Sequence, residues 1–225
     1  MGSIKSSVER VGAAFGARIA SLVGKPSFWV VFVVVGMAWP IARTLAIQLP
    51  PALPVLGTLP DFRFKNQYGE DYGADQLRGR IWVANFIFTR CPTECPRFTK
   101  QMFQLQHRGR GLGQAFHLVS FSVDPEHDTP EVLLQFARQY RVSPRAWTFL
   151  TGDPEGIKRT VVDGLKVSMG RKPDADEDDL TAIFHGTHFV LVDAKMQIRG
   201  YYDSHEEDAV DRLLRDAGLL ANRGY

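Results

Sequence analysis

The chain has two cysteines, and both lie in one segment, CPTECP at residues 91–96. A structural disulfide rarely joins partners this close in sequence, whereas redox pairs and soft-metal sites often do. The pair comes directly after a strongly apolar run, Ile81–Phe88, which predicts a buried strand. Because α/β proteins place their working residues just beyond the carboxyl ends of such strands, we interpret Cys91 and Cys95 as a reactive pair rather than as inert buried thiols.

These thiols suit two kinds of chemistry. Pro96 is typical of a first helical position, which puts Cys95 at the N-cap and both thiols near the positive end of the helix dipole, where the thiolate is favoured. Thiolates attack disulfides and bind metals. Disulfide-exchange pairs usually have two intervening residues, and the third residue here leaves both sulfurs able to converge on an ion. Two thiolates and an imidazole suit copper in either oxidation state, while a structural zinc site would need a fourth ligand.

An imidazole ligand must come from one of six histidines. His185 lies in a predicted loop ahead of a strand, and His188 begins that strand. A lone histidine is usually structural, but the thiol pair makes His185 the stronger candidate of the two. The other four are expected to be surface, loop or packed residues: His107, His117, His127 and His205.

The N-terminal part of the chain contains a long apolar run, residues 27–49, in which Arg43 is the one charged residue. At ~1.5 Å per residue, a helix over this run would extend about 35 Å, enough to cross a ~30 Å hydrocarbon core. Residues 1–26 carry four basic residues and one acid, which predicts a cytoplasmic N-terminal segment, with the domain beyond the helix on the far side of the membrane. A cleaved signal peptide, a buried core helix and N-terminal myristoylation are the alternatives.

The remaining sequence predicts a Pro-rich linker or extended entry at residues 50–60 and one α/β domain over residues 61–225. A β-hairpin near residues 62–70 opens this domain, and strands then alternate with helices, which predicts a mostly parallel sheet covered on both faces. The closing β-hairpin and helix are expected to add an antiparallel edge. A cysteine pair after the first buried strand of such a domain is a thioredoxin-like arrangement. The predicted strands are 80–88, 115–123, 146–150, 187–193 and 197–202; the predicted helices are 75–78, 98–108, 130–140, 154–169 and 206–217, with a glycine-rich turn at 109–113.

The charge balance bears on the kind of partner. The net charge is only +2, and the chain has no Lys/Arg cluster that would form a basic face. A nucleic-acid partner would need such a face, so none is expected.

Three segments in order carry a more specific signal: IWVANFIFTRCPTECP (81–96), SFSVDPEHDTPEVL (120–133) and HGTHFVLVDAKMQIRGYYD (185–203). On these segments the chain resembles the Sco/SenC proteins, thioredoxin-fold factors in cytochrome c oxidase assembly. The resemblance extends over most of residues 58–218.

The resemblance implies a ligand set. In this family two cysteines and a distal histidine bind the metal, which implies that Cys91, Cys95 and His185 bind a copper ion, Cu(I) or Cu(II). His188 then falls where the family often carries arginine. Gly186 departs from the family pattern, and we expect it to loosen the loop that holds His185.

The resemblance also implies a function, that of a membrane-anchored copper-binding assembly factor that helps deliver copper to the binuclear copper site of cytochrome c oxidase. Its expected partners are the copper-site subunit of the oxidase, a copper donor and a thiol reductant. The expected location is an inner membrane crossed once, with the domain in the periplasm or in the mitochondrial intermembrane space. Such a factor would be a delivery protein rather than an enzyme with turnover.

Two other functions are alternatives to copper delivery. The first is a thiol-disulfide reductase that keeps a partner's metal-site cysteines reduced, with Cys91 and Cys95 as a redox-active pair able to form a disulfide. The second is a peroxiredoxin-like peroxidase, which is disfavoured because Phe88 stands where such enzymes need threonine.

Two acidic features have two interpretations each. Asp124 matches a family position; we interpret it as a turn carboxylate before Pro125, with orientation of the site as the alternative. The acidic run at residues 174–179 is expected to be a solvated loop, or else to attract a basic partner or a cation near the site.

Overall fold

A computed structural model of the chain describes residues 24–46, 51–91, 95–171 and 183–223. It divides into two compact units, Met1–Ala52 and Leu53–Tyr225. The described part of the first unit is dominated by helix α1 (Pro26–Ala46). The stretch Pro26–Thr44 is long and apolar enough to cross a membrane by length and composition, and its large apolar side chains are exposed. The predicted apolar helix is therefore present and is compatible with membrane anchoring.

The second unit is a mixed α/β domain. Its strands are β1 (Gly57–Thr58), β2 (Arg63–Asn66), β3 (Asp71–Gly73), β4 (Ile81–Ile87), β5 (Phe116–Ser122), β6 (Trp147–Thr151), β7 (Met169–Arg171), β8 (Ile183–His185), β9 (His188–Val192) and β10 (Gln197–Asp203). Its helices are α2 (Ala74–Leu77), α3 (Cys95–Arg108), α4 (Pro130–Gln139), α5 (Pro154–Lys158) and α6 (Ala209–Arg223), with a 3-10 helix at Gly109–Ala115 and a π-helix at Arg159–Gly164.

Eight of the described strands form one sheet in the order β1-β10-β9-β4-β5-β6-β2-β3, and β7 and β8 form a separate antiparallel pair. Within the sheet β4, β5 and β6 run parallel to one another, and every other described pairing is antiparallel. The expectation of a mostly parallel sheet was therefore wrong. The reason is that both hairpins join the central strands directly: β9 pairs with β4, and β2 pairs with β6.

Two hydrophobic clusters lie on the two faces of the central strands, as predicted for a sheet covered on both sides. Every residue of β4 is buried, and because successive side chains point to opposite faces, this strand supplies both clusters. Val83 and Ile87 pack in the cluster that contains the apolar faces of α3, α4 and α6. Trp82 and Phe86 pack in the cluster that contains α2, α5 and the π-helix. The buried central strand thus fixes the position of the cysteine segment after it.

Most predicted elements are confirmed with small shifts at their ends, but the helix predicted over residues 154–169 was too long. It passes into the π-helix and ends at Gly164, where Leu165 N donates to the Thr160 carbonyl at 2.8 Å. Lys166 then has a φ of +59°, a left-handed conformation that ends a helix. Strand β7 then begins at Met169, the last residue of the predicted helix.

Three smaller differences concern helix ends and one turn. Helix α3 begins at Cys95 rather than at Pro96, so Cys95 is a helical residue and not the predicted N-cap. Helix α6 begins at Ala209, three residues later than predicted, and continues to Arg223. The glycine-rich segment forms a 3-10 helix rather than a simple turn.

The N-cap of α4, by contrast, is confirmed. Thr129 Oγ1 accepts a hydrogen bond from Val132 N, and Pro130 occupies the first helical position. The fixed φ of proline and the capped backbone amide together define where this helix begins.

A buried ion pair closes the β9–β10 hairpin. Asp193 Oδ2 lies 2.7 Å from Arg199 Nε, and the two side chains are 0% and 6% exposed. The other carboxylate oxygen of Asp193 accepts from Lys195 N and Gln197 N across the turn. Arg199 also donates to the Leu53 carbonyl at 2.8 Å. This pair therefore holds both the hairpin and the start of the domain.

Candidate metal centre

Cys91 lies four residues beyond the end of β4, as predicted. Its backbone N–H donates to the Phe88 carbonyl at 3.1 Å, which forms a turn directly after the strand. The side chain is half-buried and packs against the cluster that contains Phe88 and Phe98. Cys95 is the first residue of α3, but its side chain and residues 92–94 lie outside the described part of the chain.

His185 lies at the end of β8, with its ring between two phenylalanines. The ring centroid is 6.0 Å from that of Phe88, in an edge-on arrangement, and 6.0 Å from that of Phe98. Phe88 comes three residues before Cys91, and Phe98 comes three residues after Cys95. The structure therefore brings His185 against both ends of the cysteine segment, across about ninety residues of sequence.

The prediction that His185 lies in a loop was wrong. It is the last residue of β8 and pairs with Met169 of β7. Its Nδ1 lies 3.2 Å from the Gly186 carbonyl oxygen, so the tautomer protonated at Nδ1 donates there and has its lone pair on Nε2. Such a backbone contact orients an imidazole for metal binding through the other ring nitrogen.

Gly186 fixes this segment rather than loosening it, contrary to expectation. Its N–H donates to the Ser168 carbonyl at 2.8 Å. A methyl group built on its Cα would overlap Cγ1 of Val167, a buried residue. The absence of a side chain at Gly186 thus allows the backbone beside His185 to pack closely on the segment before β7.

His188, the other candidate imidazole, lies on a different pair of strands. It begins β9 and is opposite Asp203 of β10. The pKa of Asp203 is lowered by hydrogen bonds from the backbone and the ring of His205, with a smaller effect from the charge of His188. His188 is therefore placed beside the carboxylate of Asp203.

Three of the remaining histidines agree with the sequence-based expectations. His117 is a buried strand residue, packed as predicted. His107 and His127 are exposed. No described contact links these three side chains to the cysteine segment.

Asp124 pairs with the side chain of Arg90, the residue before Cys91. Its Oδ2 lies 2.8 Å from Arg90 Nη2, and the Asp124 side chain is 11% exposed. The carboxylate therefore stands in the predicted turn and also reaches the neighbour of Cys91, so both interpretations of Asp124 have a structural basis.

Asp128 binds Thr89, two residues before Cys91, and was not recognised from the sequence. It is fully buried and accepts from the Thr89 hydroxyl at 2.5 Å and from the Ser122 hydroxyl at 2.7 Å. Burial raises the pKa of Asp128, while these hydrogen bonds oppose the effect. The available signal was a second aspartate four residues after Asp124, but a loop carboxylate shows no periodicity.

An open cleft of about 500 Å³ lies beside His185. Among the described side chains, no group of three metal-ligating residues is complete, and the thiol of Cys95 is outside that set. The donors that can be placed, one thiol and one imidazole beside the start of α3, have the chemistry of a soft-metal site. The acidic run at 174–179 also lies outside the described residues. The cleft is lined by Lys166, Val167, Ser168, His185, Gly186, Thr187, His188 and Tyr201.

A mixed α/β domain in which one cysteine follows the central strand and a second begins the next helix defines a protein of the thioredoxin-like class. Within that class, the family model described as SCO1/SenC matches residues 56–216. The chain therefore belongs to the SCO1/SenC family.

Individual relatives agree with this assignment. The SCO1 protein homolog of Bacillus subtilis is 33% identical over 156 residues, which make up 69% of this chain and 78% of the relative. The solved structure of BsSco is 31% identical to this chain, with a TM-score of 0.65 over 76% of this chain and 97% of that one. BsSco is described as a member of the Sco family of cytochrome c oxidase assembly proteins, with a disulfide switch. The structure of Arabidopsis thaliana ScoI with copper bound is 25% identical, with a TM-score of 0.61 over 75% of this chain and 100% of that one.

Proposed function

We propose that this protein is a membrane-anchored copper-binding assembly factor that helps deliver copper to the binuclear copper site of cytochrome c oxidase. Cys91, Cys95 and His185 are its metal ligands in this proposal. The observation that carries it is the position of the His185 ring, which packs on Phe88 and Phe98 at the two ends of the cysteine segment. Family membership and the copper-bound Arabidopsis structure support copper as the ion.

The donor set fits copper in both oxidation states. Soft thiolates favour Cu(I), and an imidazole helps to hold Cu(II). The contact between His185 Nδ1 and the Gly186 carbonyl supports Nε2 as the binding atom.

The two aspartates near the cysteine segment position the first thiol. Asp128 accepts hydrogen bonds from the hydroxyl and the backbone N–H of Thr89, and Asp124 pairs with the side chain of Arg90. Both carboxylates therefore bind residues that lead into Cys91. Because their oxygens are engaged with these partners, the aspartates are not ligands in this proposal.

Helix α1 supplies the proposed anchor. The positive charge of residues 1–26 supports a cytoplasmic N-terminus, which puts the copper-binding domain in the periplasm, or in the intermembrane space of a mitochondrion. Copper delivery there requires the oxidase subunit with the copper site, a copper donor and a reductant for the thiols. The reductant is necessary because the compartment is oxidising.

A second candidate function is thiol-disulfide reduction of a partner's metal-site cysteines. It is favoured by the disulfide switch described for BsSco, which is 31% identical to this chain. In this reaction one thiolate attacks a partner disulfide to form a mixed disulfide, and the other thiolate then displaces the partner thiol, leaving a Cys91–Cys95 disulfide. His185 has no role in those steps, which separates the two functions.

The experiment compares His185→Ala with His188→Ala in the reduced full chain in detergent. Copper affinity is measured by competition with a chelator, and bound copper is measured by elemental analysis. We expect H185A to lose more than about 100-fold in Cu(II) affinity, since removal of an outer-shell partner alone costs about 10–100-fold. H188A is the matched control and should bind copper as the native chain does. Equal affinities of the two variants would contradict the assignment of His185.

The same variants distinguish delivery from reduction. H185A should retain reduction of a model disulfide peptide, whereas Cys91→Ser should lose both reduction and copper binding. Cells that carry H185A as their only copy should lack the copper-site absorbance of the oxidase if delivery is the function. Normal oxidase assembly in those cells, together with its loss in C91S cells, would favour the reductase.

A further inference from the structure

A polar pocket of about 360 Å³ lies at the end of the sheet opposite the cysteine segment, where the parallel strands β4, β5 and β6 begin. Cys91 comes after the carboxyl end of β4, so this pocket is separate from the proposed copper site. The proposed copper chemistry makes no use of it. The pocket is lined by Tyr72, Arg80, Gln114, His117, Pro144, Arg145 and Thr148.

The floor of the pocket is formed by polar side chains that contact one another. His117 is 3% exposed, and its Nε2 lies 2.9 Å from the Thr148 hydroxyl. The ring of His117 stacks on that of Tyr72 with 6.1 Å between centroids and 22° between planes. Strands β3, β5 and β6 thus each contribute one polar side chain to the same floor.

The Tyr72 hydroxyl is buried at the same floor, close to the Thr148 hydroxyl. Its oxygen is inaccessible to solvent and makes no hydrogen bond that meets ordinary geometric limits among the described residues. Burial raises the pKa of Tyr72, with an opposing effect from the nearby Thr148 hydroxyl, so the phenol stays protonated.

The rim of the pocket is positively charged. Arg80 precedes β4 and is half-buried, and Arg145 precedes β6 and is exposed. Across the described part of the chain neither arginine makes an ion pair, and no described aspartate or glutamate lines the pocket. The charge of Arg80 reaches the floor: burial first, and then Arg80, lowers the pKa of His117 to about 4.

These groups are rich in hydrogen-bond donors and hold no balancing negative charge. A guanidinium matches the two oxygens of a carboxylate or a phosphate, and hydroxyl and amide groups can complete the set. We propose that this pocket binds a small oxyanion, a phosphate or carboxylate group, between Arg80 and Arg145 above the His117–Thr148 floor.

The test uses the full chain in nanodiscs of phosphatidylcholine, with inorganic phosphate as the probe. Titration calorimetry at constant ionic strength measures affinity, and the NMR signal of the His117 ring measures occupancy at the pocket floor. We expect saturable binding and a rise in the pKa of His117, because a bound anion favours the imidazolium. Arg80→Gln and Arg145→Gln should each weaken phosphate binding at least about tenfold, as expected for loss of a charge-assisted hydrogen bond.

Arg63→Gln is the matched control, since Arg63 is exposed and pairs with Asp75 away from the pocket. It removes the same charge and should leave phosphate affinity unchanged. Arg145 is exposed, so R145Q tests the pocket even if R80Q does not fold. Copper binding by R145Q should be unchanged.

Nanodiscs that contain phosphatidylglycerol distinguish a lipid headgroup from a soluble oxyanion, because a headgroup would move the His117 signal without added phosphate. Either source is consistent with an oxyanion site. Phosphate affinity that is absent, or that is equal in R145Q, R63Q and the native chain, would overturn the proposal.

Discussion

Replacement of Gly186 by alanine tests whether close packing beside His185 holds the metal centre together. A Cβ at this position would overlap Cγ1 of Val167, while the Gly186 N–H is bonded to the Ser168 carbonyl. Val167 is 5% exposed and has little room to move. Inserting a methyl group into such a packed site costs about 1–3 kcal/mol. We therefore expect G186A to lower the free energy of unfolding by about 1–3 kcal/mol and to weaken copper binding by displacing His185.

The compensating change is Val167→Ala, which removes the atom that the new methyl group would overlap. Alone, V167A should cost about 1.6 kcal/mol, at ~0.8 kcal/mol for each buried carbon removed. In the double variant G186A/V167A the overlap is gone, so its cost should be smaller than the sum of the single costs by about 1 kcal/mol or more. Copper affinity should also return toward that of the native chain.

The assay is urea unfolding of the full chain in detergent, with near-UV circular dichroism as the signal and copper affinity measured by chelator competition. Gly218→Ala is the matched control, because nothing lies within 4 Å of the Cβ position of Gly218 in α6. It should be neutral or stabilise the helix by up to about 1 kcal/mol. Additive costs of G186A and V167A, within about 0.5 kcal/mol, would refute the packing explanation.

Three further predictions concern buried ionisable groups. The pKa of His117 is about 4 in the folded chain, so between pH ~6.5 and ~4 this ring is protonated in the unfolded chain but not in the folded one. The free energy of unfolding should therefore fall by up to about 3 kcal/mol as the pH drops through this window, and urea unfolding of His117→Gln should lack this loss. The pKa of Asp128 is raised in the folded chain, so the unfolded chain releases this proton first, and the free energy of unfolding should fall as the pH rises from about 3.9 to the folded pKa. The difference in unfolding free energy between the native chain and Asp128→Asn should change across that window, and a constant difference would count against the raised pKa. Asp193→Asn leaves the buried Arg199 without its carboxylate and should cost about 3–5 kcal/mol, whereas Asp75→Asn, which breaks an exposed pair, should cost less than about 1 kcal/mol; equal melting temperatures of the two variants would contradict this contrast.

The sequence was sufficient to predict the elements that carry a clear local pattern. The uncharged run Ile81–Phe88 predicted the buried central strand, and Thr129 ahead of a proline predicted the start of α4. Cys91 comes after that strand as expected, since a position beyond a buried strand depends on chain order alone. The family was also predicted from its motifs, and the family model confirms it.

The features that could not be predicted depend on contacts between distant residues. The β7–β8 pair has three residues in each strand, too few for an alternating pattern, and so His185 was placed in a loop. The direction of strand pairing depends on where hairpins join the sheet, which no local pattern specifies. The role of Gly186 depends on Val167, and the burial of Asp128 depends on Thr89, both of which are remote in sequence.

The most direct test of the proposed copper site is electron paramagnetic resonance of the full chain loaded with Cu(II). We predict sulfur and nitrogen coordination in the native chain and in H188A, with loss of the nitrogen hyperfine signal in H185A and loss of sulfur coordination in C91S. A native-like spectrum in H185A, combined with an altered one in H188A, would contradict the assignment of His185 and with it the proposed centre.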